Sequence, residues 1–220
     1  MLREAVRTCS RADLTRAAKQ LGLWDEGRIV ADEDAIEMLA DVALFEPNQR
    51  GRRAFDRFLD AEARRLAPAD LEVARRVAGA FFSIFRLAAR HEAAGVWLED
   101  LLEADRRLWL VDEGLETSAP DGLVFGMRLF DAGPFHAGFG IVAPADAETV
   151  EFAVEARARG ARSPFRHSLA ATLYGDSLRA GTADERVLDA LLEVLPSGLV
   201  LPDDGRPAER SPRPSSKRKR

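Results

Sequence analysis

Apolar positions along this chain change their period near residue 80. Before it they recur every three to four residues, as on one helix face; after it they alternate or gather in short blocks. Ser10 with Asp13 three residues on predicts a helix N-cap with an acidic third position. Leu14, Ala17, Ala18 and Leu21 then share a face, and Gly22 can stop the helix. Asp32 and Glu33 open a second helix, with Ile36, Leu39, Ala40 and Ala43 as its stripe and Glu46-Pro47-Asn48 as its break. A third carries Phe55, Phe58, Leu59 and Leu66, after the basic turn Arg50-Gly51-Arg52-Arg53. Pro68 suits the first position of a fourth, lined by Leu71, Ala74, Val77, Ala78 and Phe81.

From here the pattern predicts strands: Phe82–Ala89, Val96–Leu102, Leu108–Val111, Leu123–Phe130 and the Gly-interrupted Phe135–Val142, separated by Gly, Pro and Asp turn signals. Short strands at this spacing imply a small antiparallel β-barrel. If the second and third strands form a hairpin with an even index sum, Trp97, Glu99 and Leu101 share a face with Arg107, Trp109 and Val111. Val96, Leu98, Leu102, Leu108 and Leu110 then fill the interior. The flanking helices need a surface to pack on, so at least one of Trp97 and Trp109 is expected to lie buried under a helix.

Pro144 marks the next boundary. Val150 and Val154 suggest a helix to Arg159, ended by Gly160. Ser163-Pro164 can start another, with Phe165, Leu169 and Leu173 four apart. Thr182-Ala183-Asp184-Glu185 is a capping-box pattern ahead of Val187, Leu188, Leu191, Leu192 and Leu195, with Pro196-Ser197-Gly198 as the stop. The expected fold class is therefore α+β: N-terminal helices (1–80), a five-stranded antiparallel β-barrel (81–143), C-terminal helices (144–201), and a disordered basic tail (202–220) in which apolar residues vanish.

Composition adds limits. Hydrophobic residues make up 46% of the 220, enough for a core, yet no run approaches the ~20 needed to span a bilayer, so no membrane association is expected. The first residues carry an early acid and no apolar block, which makes cytoplasmic the default location. A single Cys9 leaves no internal disulfide and no multi-cysteine zinc site. Net charge is −5, but Arg206–Arg220 holds seven basic residues against Glu209; the tail is thus +6 and the body −11. Lys217, Arg218, Lys219 and Arg220 are the candidate contacts to a polyanion.

Candidate chemistry is sparse. Gly138-Phe139-Gly140-Ile141-Val142-Ala143 has dinucleotide-loop spacing, but Phe135, Ala137, Phe139 and Ile141 alternate straight through it, as in a strand that uses glycine to bend. Leu14–Leu23 resembles the first helix and turn of a helix-turn-helix, but Trp24-Asp25-Glu26-Gly27 and the extended Arg28-Ile29-Val30 follow where a reading helix belongs. His91, His136 and His167 fall on a strand end, a strand and a C-terminal helix, without metal-ligand spacing. Cys9 before a helix cap admits a lowered pKa. Asp100 and Asp112 interrupt apolar strand edges; they could form a carboxylate pair, and turn capping is the favoured reading.

Taken together, Leu21-Gly22-Leu23-Trp24, Arg28-Ile29-Val30, Asp41–Phe45, Phe82-Ser83-Ile84-Phe85, Asp100-Leu101-Leu102, Asp112-Glu113-Gly114 and Gly122–Phe125 resemble a family of uncharacterised bacterial proteins, over about residues 10 to 155. The resemblance implies a helical N-terminal part, a small β-barrel and an intracellular setting. It brings no activity, cofactor or catalytic residue. With no catalytic, cofactor or metal residue to assign, the leading expectation is a non-enzymatic interaction or regulatory module with a protein partner and Trp97, Arg107 and Trp109 as its surface. The alternative is a nucleic-acid-associated protein using barrel and tail. An enzyme with an unrecognised site is third.

Overall fold

In the computed structural model, which describes residues 1–160 and 165–194, helices come first. They are α1 (Leu2–Arg7), α2 (Arg11–Leu21), α3 (Glu33–Phe45), α4 (Ala54–Glu62) and α5 (Pro68–Ala78), with a hairpin of β1 (Trp24–Asp25) and β2 (Arg28–Ile29) between α2 and α3. The Ser10–Asp13 capping box forms in both directions, and Gly22 ends α2 in the left-handed region at φ 80°. The hairpin, not a second helix, follows α2, so no helix-turn-helix is built. On α3 the expected stripe is shifted. Ile36 is 55% exposed, whereas Asp41 through Phe45 are all buried. The C-terminal half of α3 is enclosed on two sides: Leu39, Val42 and Ala43 join one apolar cluster, Leu44 and Phe45 another.

The sheet comprises β3 (Phe81–Arg90), β4 (Val96–Asp100), β5 (Arg107–Leu110), β6 (Val124–Asp131) and β7 (His136–Pro144), with the helix α6 (Glu113–Ser118) between β5 and β6. Hydrogen bonding runs in the closed order β3-β4-β5-β7-β6. The sheet is mixed, not antiparallel throughout: β5 and β7 pair in parallel at Leu110 and His136. The reason is arithmetic. A closed ring with an odd number of strands cannot alternate direction all the way round, so one seam must be parallel. That seam has a single paired position, supported by the Val111 N–H donating to the His136 carbonyl at 3.1 Å.

The β4–β5 register has the even sum: Val96 faces Leu110, Trp97 faces Trp109, Leu98 faces Leu108 and Glu99 faces Arg107. Alternation then sends Phe85, Leu87, Val96, Leu98, Leu108, Leu110, Phe125, Met127 and Leu129 to one buried cluster. Leu101 and Leu102 leave this pattern, because β4 ends at Asp100; both pack with the helices instead. Gly138 and Gly140 lie inside β7, which continues as a strand through the dinucleotide-like letters. A Cβ at Gly138 would stand 2.5 Å from the Met127 methyl, so glycine there makes room for a core side chain.

C-terminal to the sheet lie α7 (Ala147–Ala158) and α8 (Leu169–Val194). Residues 161–164, the expected helix start at Ser163-Pro164, are outside the described residues; 165–168 are non-helical, which places His167 ahead of α8 rather than on a helix. α8 runs without interruption through Thr182, so the capping-box letters open no new helix. A cap is needed only where orphan N–H groups exist, and a helix already under way supplies its own carbonyls. Leu195, the Pro196-Ser197-Gly198 stop and the tail from 202, including Lys217–Arg220, lie outside the described residues.

Candidate functional site

Two groups of polar side chains are built on the sheet, one against its outer wall and one on its inner face, where Ser83 and Asp100 stand opposite Met127 and Phe85. The first starts from the alternation of β6. Phe125, Met127 and Leu129 face the interior, so Arg128 must face outward, and there it meets α3 and α8. Arg128 is 4% exposed. Its Nε donates to both oxygens of Asp41 at 2.9 and 3.1 Å, and its Nη2 donates to Glu46 Oε1 at 2.7 Å. The rings of Phe45 and Phe82 lie 5.1 and 5.6 Å from the guanidinium. Burial alone disfavours the charge; Asp41 and Glu46 outweigh it, and the pKa of Arg128 is raised. Tyr174 is fully buried beside Asp41, and burial followed by that negative charge pushes its hydroxyl above its ordinary pKa. The hydroxyl lies close enough to Asp41 to feel it electrostatically but makes no hydrogen bond of good geometry.

The second group lies where β3 meets the β4–β5 turn. The Asp100 side chain is fully enclosed. Oδ1 accepts from Ser83 Oγ at 2.5 Å and from the Leu102 N–H at 3.0 Å. Oδ2 has no hydrogen-bond partner and stands 3.6 Å from Arg106 Nη1. The Arg106 guanidinium in turn lies over the Phe81 ring at 4.1 Å. A buried carboxylate behind and an aromatic face beneath thus fix one half-exposed guanidinium. It borders a cleft of about 520 Å³, whose other walls include Phe82, Glu46, Glu103, Arg157 and Ser168. Arg157 on α7 pairs with Glu103 across the β4–β5 turn. Asp100 therefore caps its turn, as expected, and also orients Arg106. Asp112 only caps: it accepts from the Leu115 N–H at 2.9 Å and starts α6.

Trp97 and Trp109 share a face, but neither is sealed under a helix. Both are half-buried, and the cover is His91, which stacks on Trp109 at 3.9 Å with planes 4° apart and meets Trp97 at 4.9 Å. Trp109 Nε1 donates to the Ala94 carbonyl at 2.7 Å, and Arg107 lies 4.7 Å over Trp97. Bending of the chain after β3 returns His91 over the ring pair, a placement that strand periodicity does not encode. Cys9 is half-buried, and burial first, then Asp13, raises its pKa against the opposing charges of Arg57 and Arg16, the reverse of the lowering its place before a helix cap admits. His136 is shifted downward, mainly by burial. Among the described residues no three His, Cys, Asp or Glu side chains converge to hold a metal ion, and no helix is long and apolar enough to cross a membrane.

A family of unknown function, DUF7986, matches residues 3–152. The chain belongs to this family. The DUF7986 match runs from α1 into α7 and contains Asp41, Ser83, Asp100, Arg106 and Arg128; Arg157, Ser168 and Tyr174 lie beyond it. No curated protein and no solved structure matches the chain. The Arg128 network and Arg106 were both missed from sequence. Their signal was available in part: a lone Arg within the apolar block Leu123–Phe130, and a lone Asp within the apolar end of α3.

Proposed function

We propose that this DUF7986 chain is a non-enzymatic binding module, a small β-barrel with helices around it, that takes a small ligand with an acidic group into the cleft beside Arg106. The observation that carries the reading is the way Arg106 is held: Asp100 behind it, Phe81 beneath it, and one face toward a cleft of about 520 Å³. A guanidinium fixed in advance loses little freedom on binding a carboxylate or phosphate, and its fork matches either group. The size is in the range of small-molecule sites. Phe81 and Phe82 would cover the ligand's apolar part.

The test is thermal unfolding of the full chain against a panel of mono- and dicarboxylates and inorganic phosphate. A member that binds raises the midpoint with concentration, by about 2.7 kcal/mol of stability at a hundredfold excess over Kd. Arg106→Gln is expected to abolish the rise. A panel without effect, or a rise that Arg106→Gln keeps, defeats the reading. A second reading rests on the half-buried Trp97–Trp109 pair with Arg107 above it, which offers a protein partner a rigid aromatic anchor.

A further inference from the structure

The formal charge of the chain is negative, yet one face departs from it. α2 presents Arg11, Arg16 and Lys19, each of which borders a groove of about 750 Å³ together with Arg166 and His167; no carboxylate borders it. On the other side of the Ala12–Arg16 ridge lies a second groove, of about 590 Å³, bordered by Arg16, Arg50, Arg52 and Arg57. Its one carboxylate, Asp13, is buried and already used: it accepts from Ser10 and forms an ion pair with Arg57 at 2.5 Å. Arg16 belongs to both grooves and is braced, with Nη1 donating to Gln20 Oε1 at 3.1 Å and Nη2 to the Glu46 carbonyl at 3.1 Å. Two guanidinium nitrogens along this ridge, Arg16 Nε and Arg57 Nη1, are buried and lack an acceptor. Among the described residues Arg11, Lys19, Arg50 and Arg166 have no carboxylate within ion-pair reach, although the chain has 37 acids.

We propose that these two grooves form one nucleic-acid-binding surface that tracks the phosphate backbone. Arg52 and Arg57 are paired with Asp60 and Asp13, but Arg11, Lys19, Arg50 and Arg166, along grooves that meet at Arg16, concentrate phosphates there, while the acidic remainder of the body repels them and so sets orientation. The neighbouring polar side chains, Thr15, Asn48 and Gln49, are of the kind that add phosphate hydrogen bonds. A membrane surface fits worse, because a lipid-binding face needs exposed large apolar residues. None of the exposed large apolar side chains, such as Ile36 or Phe152, borders either groove. No Phe, Tyr or Trp ring borders these two grooves either, so the surface lacks a broad platform for stacking bases and reads backbone rather than sequence. The site is separate from the cleft at Arg106 and does not depend on it.

The test is fluorescence anisotropy of the full chain with a labelled duplex of arbitrary sequence, about 20 base pairs long, titrated with salt. Three variants are compared with the parent: Arg11→Gln, Lys19→Gln, Arg50→Gln and Arg166→Gln together; Lys217→Gln, Arg218→Gln, Lys219→Gln and Arg220→Gln together; and Arg106→Gln alone. The groove variant is expected to bind at least about tenfold more weakly, with a visibly flatter dependence on salt, while its unfolding midpoint stays at the parent value. The Arg106 variant is expected to bind as the parent does. Absence of binding by the parent overturns the proposal. So does a groove variant that binds like the parent, with the loss appearing only in the tail variant. Tighter binding of the parent to vesicles of anionic phospholipid or to poly-glutamate than to the duplex would overturn it in favour of another polyanion.

Discussion

The inside and the outside of the closed sheet are both buried, but by different physics. Inside, Phe85, Leu98, Leu110, Phe125 and Met127 exclude water with hydrocarbon, and buried polar groups enter with Ser83 and Asp100 at the end near the β4–β5 turn. Outside, against the helices, small side chains such as Ala17, Ala18, Ala143 and Ala171 let the layers approach closely, and in their midst Arg128, Asp41 and Tyr174 are equally dry. The interior gains stability in proportion to area and volume, and it forgives exchanges that keep the volume. The outer layer depends on a few directional contacts whose parts are costly when separated. The difference teaches that this sheet is secured by volume on one face and by charge pairing on the other.

The comparison breaks most sharply at Arg128. Arg128→Met leaves Asp41 without a counter-charge, and truncation of one partner in a buried pair costs about 3–5 kcal/mol. Adding Asp41→Leu to the same chain should recover a large part of that loss, because it is the unpaired charge, not the missing pair, that is expensive. Glu46 is 14% exposed and keeps a route to water. Urea unfolding of the parent, the single and the double variant reads both effects. If the double variant is no more stable than the single, the contrast between the two faces is wrong.

Inside the sheet the response should depend on volume only. Leu98→Ala removes buried methyl groups and opens a cavity, for an expected loss of about 2–5 kcal/mol, whereas Leu98→Met is expected to cost less than about 1.5 kcal/mol. A large loss with methionine would mean that shape, not volume, governs this face.

This division also explains what could be read from sequence. The interior was legible because its determinant, period-two alternation, is written one residue at a time; given an even index sum, Trp97 and Trp109 share one face and Leu98 and Leu108 the other, while the exact partners are set by the turn. The parallel β5–β7 seam is a property of closure with five strands, which no local run of residues displays. Arg106 and Arg128 depend on partners distant in the chain: Arg128 meets Asp41 87 residues away, and Arg106 owes its position to a ring on β3. The basic face was hidden for the same reason. Arg11, Arg50 and Arg166 are far apart in sequence, and the body's negative total masked them.

The smallest effect lies at the edge of the helical layer, where a buried carboxylate meets a partly exposed arginine. Asp13 is 5% exposed; burial alone would raise its pKa, but hydrogen bonds from Ser10 and the Arg57 charge hold it below its ordinary value. A carboxylate with a lowered folded pKa contributes stability that is present above its unfolded pKa, near 3.9, and is lost as pH falls through the folded value. Acid weakening from this group therefore begins below about pH 4 and is absent at neutral pH. Asp13→Asn keeps an oxygen that can accept from the Ser10 N–H but removes the charge that pairs with Arg57, for about 1 kcal/mol at pH 7, and should make the loss of stability below about pH 4 shallower than in the parent. Urea midpoints at neutral and acid pH check it. If the two chains lose stability in parallel as the pH falls, Asp13 is not the group that titrates, and the charged layer outside the sheet is insensitive to acid at this point.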